Sequence, residues 1–234
     1  AAHAIHARAA PYMQDWKPAI EHPTALIESD AFAPATATGN VTTTQTYLDY
    51  LWTNDTSFEN IWRIGYTATS YGGAQGAVFL NFTTDYTYYY PDYVPAQWVL
   101  NLYDANDLRY NAYFANAQTA HAHGLVWPLL IKYAGNTSFI NSYLLYEVSM
   151  PKPFRLAEQY LIRAEAYAQK QDPDYSKASK DIAELRKARY NSNASASLNE
   201  ENAMDIIEEE RVKELYMEGF RLQDLKRWHK GFER

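Results

Sequence analysis

The chain has 234 residues, 47% of them hydrophobic and 21% charged, with a formal net charge of −7 and no cysteine. That size and balance fit a folded protein with a sizeable core, in one large domain or two small ones. They exclude disulfides, thiol chemistry and thiolate metal sites. They also disfavour nucleic-acid binding, which rests on neutralising phosphates with a basic surface. No apolar run approaches the roughly 20 residues of a membrane helix, and the longest candidate, 125–131, is interrupted by Pro128. Tyrosine stands out, with 21 residues beside 6 Trp and 9 Phe. A flat apolar ring with a polar tip suits recognition surfaces, so the excess points towards binding.

In chain order, residues 1–29 read as a helical hairpin: an Ala-rich helix, a turn at Gln14-Asp15-Trp16, and a second helix over about 18–28. Pro18 is tolerated in a first turn, whereas Pro23 should bend or shorten the helix. Residues 30–46 are rich in Ala, Thr, Pro and Gly and read as loop. Tyr47 to Trp52 fits a short helix or a strand, and 61–66 alternates like a strand. Residues 67–95 carry Gly72, Gly73, Gly76, Pro91 and Pro95 and read as a long irregular excursion, of the kind that tends to be functional. A helical stretch follows from Pro95 to Tyr103, with Asn106 or Asp107 able to cap a further turn. Residues 125–153 mix short strands and turns.

The clearest helix is 155–170, where Leu156, Tyr160, Leu161, Ala164, Tyr167 and Ala168 recur at spacings of three and four; Pro173 ends it. The next covers 175–190, with Ala178, Ile182, Leu185 and Ala188 inward. Residues 205–228 read as a helix, a break at Gly219 and a second short helix. Their charges fall at helical spacing (Glu209 with Lys213, Glu218 with Arg221, Asp224 with Arg227), which predicts surface pairs of about 0.2–0.5 kcal/mol each. This acidic–basic cluster could also suggest a hydrolase, but it has no His, Ser or Cys nucleophile, and a helix pair tied by ion pairs is the simpler reading.

Asp15-Trp16-Lys17-Pro18-Ala19 and Asp174-Tyr175-Ser176-Lys177-Ala178 share the pattern D-[WY]-x-x-A. The aromatic closes a turn and the small Ala lets the second helix approach the first, the logic of tetratricopeptide-like pairs. The fold class expected is mainly α, with tetratricopeptide-like helical hairpins and a long irregular insertion containing a few short strands.

Residues 210–228, ERVKELYMEGFRLQDLKRW, resemble the hallmark of SusD/RagB-type proteins, approximately ERR-x-EL-x-x-EG-x-R-x-x-DL-x-RW. Val212 stands where a second Arg is usual, and Leu222 where an aromatic is common. Arg155 to Tyr167 (RLAEQYLIRAEAY) is similar to the family's companion motif, and Asn106 to Phe114 (NDLRYNAYF) to its D-x-R-aromatic segment. Residues 7–19 look like one of its hairpins. The resemblance implies a single partial SusD-like domain over 1–234: a hairpin at 1–29, a loop-rich insertion at 30–153, and a hairpin plus signature helices at 154–234. Family members are longer, and residue 1 falls inside a helical segment with no initiator Met or signal peptide. The chain is therefore expected to be an excised portion, cut at both ends.

The resemblance further implies a cell-surface lipoprotein of the outer membrane in Bacteroidetes-type bacteria. Such a protein binds oligosaccharide or polysaccharide and delivers it to a SusC-type TonB-dependent transporter. No enzyme activity, cofactor or metal is expected, and membrane contact would come only through a lipid anchor in the missing amino-terminal region. The alternative is a tetratricopeptide-like protein-interaction scaffold without glycan binding of its own.

A sugar ring stacks its C–H face on an exposed aromatic and hydrogen-bonds nearby polar groups. The best stretch for this is 85–93, DYTYYYPDY, where alternation would place Tyr86, Tyr88 and Tyr90 on one side and Tyr89 opposite. Asp85 and Asp92 flank it as acceptors, and Tyr71 beside Gly72-Gly73 is a second candidate. Tyr71, Tyr88, Tyr89, Tyr90 and Tyr93 are the glycan-binding candidates. Trp98, Trp16, Trp62 and Trp228 read as structural. His121 and His123 at i, i+2 lack an evident third metal ligand. Asp104, Asn106 and Asp107 could hold Ca²⁺, but helix capping is the simpler use.

Overall fold

The structure is a computed structural model that describes residues 1–121, 124–192 and 194–231. The Ala-rich start forms α1 (Ala2–Ala9) and a 3-10 turn over Ala10–Met13; Gln14, at φ 54°, turns the corner into α2 (Trp16–Ile27). Pro23 neither breaks nor shortens α2; it lies inside the helix and is buried, so tertiary packing overrides its local cost. Then come α3 (Tyr47–Thr53), β1 (Asn60–Trp62), α4 (Ala77–Leu80), α5 (Gln97–Leu100), α6 (Arg109–Tyr113), β2 (Phe114–Gln118), β3 (Val126–Leu130) and α7 (Thr137–Tyr143). The chain closes with β4 (Phe154–Arg155), α8 (Leu156–Gln169), α9 (Tyr175–Arg189), α10 (Ala203–Glu214) and α11 (Arg221–Arg227). The protein is mainly α, with helical hairpins and a long irregular insertion holding a few short strands.

Local chemistry sets several boundaries. Thr46 makes a capping box with Asp49, which settles residues 47–53 as helix: the Asp49 N–H donates to the Thr46 hydroxyl at 3.1 Å, and the Thr46 N–H to the Asp49 carboxylate at 2.8 Å. Asn136 caps α7, a helix that the strand-and-turn reading of 125–153 missed. The strand read over 61–66 is shorter than expected; β1 spans three residues and pairs antiparallel with β4.

The chain forms two compact units. The first comprises Ala1–Pro34, Phe58–Trp62 and Phe154–Arg234, the second Ala35–Ser57 and Arg63–Pro153. In the first, α8 is the central helix, packed against α2, α9, α10 and α1. Alanines at the crossings (Ala4, Ala7, Ala19, Ala164, Ala166 and Ala178) are at most 1% exposed, which lets the backbones approach closely. Both turn alanines of the D-[WY]-x-x-A pattern are among them. Of the two turn aspartates, only Asp174 caps its helix, accepting from the Lys177 N–H at 3.0 Å.

Two of the three pairs that the spacing predicts form, Glu209 with Lys213 at 2.8 Å and Asp224 with Arg227 at 3.1 Å, but much of the charge in the closing segment is buried and not on the surface. Glu210, Glu214, Arg211, Lys213 and Asp224 are buried; Glu210 reaches Arg186, Glu214 reaches Arg155 and Arg189, and Lys213 donates to the Tyr190 hydroxyl. Arg155 contacts Glu59 at 2.5 Å, Glu214 at 2.9 Å and Glu218 at 2.7 Å; Arg189 reaches Glu59 at 2.8 Å and Glu214 at 3.0 Å. Arg211 holds Asp224 through two bonds of 2.8 and 2.9 Å, and Arg227 pairs with both Asp224 and Glu165. Arg221 pairs with Glu208 rather than with Glu218. At the amino-terminal end, Arg8 forks onto Glu158 with two bonds of 2.6 Å and lies over the Phe154 ring. Fork geometry suits guanidinium–carboxylate recognition. Arg163 grips Asp181 in the same way, while burial pushes the Asp181 carboxyl up against the opposing pull of that guanidinium.

Removing one member of such a buried set strands its partners without water. Arg155→Ala should therefore destabilise the protein by about 3–5 kcal/mol, read as a shift in the urea midpoint at unchanged slope. Gln159 gives the opposite case. Its side chain is fully buried on α8, and neither amide atom finds a partner among the described residues. Replacing an unsatisfied amide by an apolar chain of similar shape removes a desolvation cost of about 1–3 kcal/mol. Gln159→Met should leave the melting temperature unchanged or raise it, and a clear fall would show that the amide is satisfied.

Candidate functional site

The candidate tyrosines sit in the second unit, on a scaffold built from aromatic packing. Trp52 meets Tyr113 and Tyr133 edge-on with centroids 6.1 and 6.0 Å away, and Phe79 stacks on Tyr133 at 5.7 Å. Lys132 is fully buried with its ammonium 3.9 Å from the Tyr113 ring centroid and 4.8 Å from that of Trp52. Gly76 allows the excursion to press onto this core, since an added Cβ would lie 1.9 Å from the Tyr133 carbonyl oxygen. The Gly76 N–H donates to the Glu147 carbonyl at 3.0 Å. This tight docking explains why 67–95, although irregular, has a defined path.

Within it, residues 83–88 form a closed turn. The Thr83 hydroxyl donates to Asp85 Oδ1 at 2.5 Å, the Thr87 N–H donates to the same oxygen at 3.1 Å, and the Thr83 N–H reaches the Tyr88 carbonyl at 2.9 Å. Tyr86 sits at the tip with φ 56° and is 79% exposed. The turn interrupts the period of two, so the alternation read over 86–90 does not run through it. Tyr89 pairs with Phe82, rings 4.3 Å apart, and its backbone bonds to Gln118 and Ala120 beside β2. Tyr90 stacks on His121 at 5.2 Å. Both the Asp92 and the Tyr93 N–H donate to the Val78 carbonyl.

Of the five candidates, Tyr71, Tyr90 and Tyr93 are exposed, while Tyr88 and Tyr89 are half-buried. Phe82, Tyr86, Tyr89 and Tyr90 lie along one backbone-anchored ribbon, with Tyr93 three residues on against Phe79. Tyr71 belongs to a separate turn, following the Thr67–Ser70 bridge, and no ring contact joins it to the ribbon among the described residues. Asp85, read as a possible acceptor for sugar hydroxyls, spends one oxygen on its own turn. Trp98, read as core, is 53% exposed on the one-turn α5, because Val99 and Leu100 take the inward positions. Trp62, also read as structural, is 46% exposed and stacks on Phe154. Exposure of an aromatic on so short a helix has no periodic signal, which is why the sequence does not reveal it. Asp107 is used structurally, its carboxylate binding the Arg109 guanidinium at 2.6 Å. His123 lies outside the described residues.

The acidic–basic cluster of the closing helices does not offer an open pair of carboxylates: Glu210 and Glu214 are fully buried and Asp224 nearly so, each in an ion pair with arginine. No helix is long and apolar enough to cross a membrane among the described residues.

Comparison with known proteins agrees with this architecture. The sequence model of the SusD family matches residues 148–234, the stretch containing β4 and all four closing helices. A SusD-like carbohydrate binding protein from Bacteroides vulgatus superposes with a TM-score of 0.73 at 25% identity over 97% of this chain and 44% of its own. A SusD superfamily protein from Bacteroides thetaiotaomicron gives 0.74 at 22% identity, over 98% and 49%. Surface glycan-binding protein A of the same species, in complex with laminarihexaose, gives 0.70 at 19% identity, over 97% and 54%. No curated protein sequence matches the chain. The chain thus spans about half the length of the solved structures it resembles. The likeness is thus to the SusD family in sequence over residues 148–234, and to SusD-like proteins in fold over nearly the whole chain.

The Thr83 hydroxyl, and after it the Thr87 N–H, hold the Asp85 carboxyl below the usual carboxylate range. A depressed folded value means that the turn gains from ionised Asp85 above the ordinary carboxylate range and loses that gain as pH falls through the folded value. An NMR titration should show the Thr87 amide moving with a midpoint below that of an unstructured Asp, and Asp85→Asn should abolish the transition.

Proposed function

We propose that the chain is part of a cell-surface glycan-binding protein of the outer membrane, which captures oligosaccharide and hands it to a SusC-type TonB-dependent transporter. The reading treats both units as one partial SusD-like domain. The observation that carries it is the anchored ribbon of exposed aromatics in the second unit, on a fold shared with a protein solved with laminarihexaose. Tyr71, Tyr88, Tyr89, Tyr90 and Tyr93 are the proposed contacts. Rings fixed by backbone bonds to Val78, Gln118 and Asn81 lose little freedom when a sugar stacks on them, which favours binding. Binding rather than catalysis is supported by the buried, arginine-paired state of the carboxylates in the closing helices.

Affinity electrophoresis and calorimetry against an oligosaccharide panel that includes laminarihexaose test this. Tyr90→Ala and Tyr93→Ala should each weaken binding about tenfold, equivalent to about 1.4 kcal/mol, with the melting temperature little changed. Unaltered affinity in both variants would move the site elsewhere. A protein-interaction scaffold is the second reading, favoured by Ile5, Tyr12 and Met13, which are exposed at the amino-terminal hairpin. Capture of the transporter that oligosaccharide does not compete away, together with failure to bind any glycan, would select it.

A further inference from the structure

Histidine aside, the second unit contains four basic side chains, Arg63, Arg109, Lys132 and Lys152, and none of them is exposed. Arg109 is fully buried against Asp107, and Lys132 is fully buried against the Tyr113 and Trp52 rings. Lys152 is bound to Asp55 with 3% of its side chain exposed, and the Arg63 guanidinium donates to the Asp55 carbonyl. Residues 64–108, which carry the aromatic ribbon, hold no lysine or arginine at all. The carboxylates of the same stretch are placed the other way. Asp85 sits beside Tyr86 in the tip turn, Asp92 lies between Tyr90 and Tyr93, and Asp104 follows α5; all three are exposed.

We infer that the ribbon takes uncharged glycans and turns away polyanionic ones, those built of uronic acids or sulfated sugars. The inference rests on the reading of the ribbon as a glycan site and adds the class of ligand. Recognition of a carboxylate or sulfate group calls for guanidinium or ammonium donors that can reach it. In this unit those donors are spent inside the fold. A repeating anion laid along the ribbon would bring its charges up to Asp85 and Asp92 instead. Asp92 is next to Tyr93 and two residues from Tyr90, so its Cα stands within about 8 Å of theirs. The screening length at physiological salt is also about 8 Å, so that repulsion is only partly damped. The Thr83 hydroxyl, and after it the Thr87 N–H, keep the Asp85 carboxyl below the usual carboxylate range, so it is ionised at neutral pH. Like charge facing like charge suppresses the wrong partner more than it strengthens the right one. The exposed hydrogen-bonding side chains of Asn81, Thr84 and Gln118 carry no charge. Amides and hydroxyls of that kind pair with sugar hydroxyls as donor or acceptor.

Calorimetry on the full chain at about pH 8, where imidazole is neutral, tests this with matched pairs. Laminarihexaose, cellohexaose and maltohexaose are each compared with the same oligosaccharide carboxylated at C6. In any pair that binds, the uncharged member should bind about tenfold tighter at low salt, and the ratio should shrink towards one in 1 M NaCl, where the screening length is about 3 Å. Asp92→Lys should narrow the low-salt ratio about fivefold. The Asp92 backbone N–H, and not its side chain, anchors the ribbon, so the circular dichroism spectrum of that variant should match the parent's. Tyr90→Ala should weaken the uncharged member, which locates the binding on the ribbon. A carboxylated member that binds as tightly as its parent, with Tyr90 required for both, would overturn the inference and leave the glycan site standing. So would a ratio that neither salt nor Asp92→Lys alters, since its cause would then be shape and not charge. Failure of every oligosaccharide of either kind to bind would overturn the glycan site itself, and this inference with it.

Discussion

The helical unit depends on carboxylates and guanidiniums placed where water cannot reach them. Glu59, Arg155, Arg189 and the Glu214/Glu218 pair come from four separated stretches of chain and meet at 2.5–3.0 Å. Each charge has lost its hydration, so each is tolerable only while its partners are in place. Replacement by well-packed apolar side chains could yield equal or greater stability. What charge adds is directionality: a fork of N–H donors bonds to carboxylates only from certain angles, so helices that would slide along an alanine seam are held in one register. That is a reason for small-residue helix crossings and buried ion pairs to occur together here.

The second unit uses a different chemistry for a different end. Its core is aromatic, with a buried lysine against Tyr113 and Trp52 and a second, Lys152, bound to Asp55 at 2.5 Å. Asp55 also accepts from Asn136 at 2.7 Å, and its backbone carbonyl takes the Arg63 guanidinium. The Asn136 and Lys152 bonds join parts of the chain 81 and 97 residues apart, and they help to give a region of short helices and irregular chain a fixed shape. Surface rings can then be displayed on backbone that is itself hydrogen-bonded, which is the requirement for stacking recognition on a loop.

The closing helices were legible because apolar spacing and a proline stop mark them; Gly219 adopts φ 87° in the turn between α10, which ends at Glu214, and α11, a few residues later than a helix-end glycine would stand. The tetratricopeptide-like pairs were legible from two alanines at matching positions. Three features were hidden. The charges at 205–228 have ideal local spacing, so nothing in the segment itself reveals that their distant partners are Arg155, Glu165, Arg186 and Arg189. Pro23 argues locally against the helix that contains it. Among the aromatics, composition shows the excess, but which rings face outward depends on single turns: the 83–88 corner reorders the tyrosines after it, and α5 is too short to have a periodicity that would turn Trp98 out.

Residues 1–34 and 154–234 are a single structural unit divided by an excursion of more than a hundred residues. During synthesis, α1 and α2 emerge with alanine and leucine faces whose principal partner, α8, does not yet exist. At about 5–20 residues per second, the interval is on the order of ten seconds. The amino-terminal hairpin must wait that long with its apolar stripe and Arg8 unmatched, within reach of chaperones or of wrong neighbours. An arrangement that fastens α1 and α2 to a helix made more than a hundred residues later thus makes the newborn chain's vulnerability a matter of translation speed across the intervening stretch.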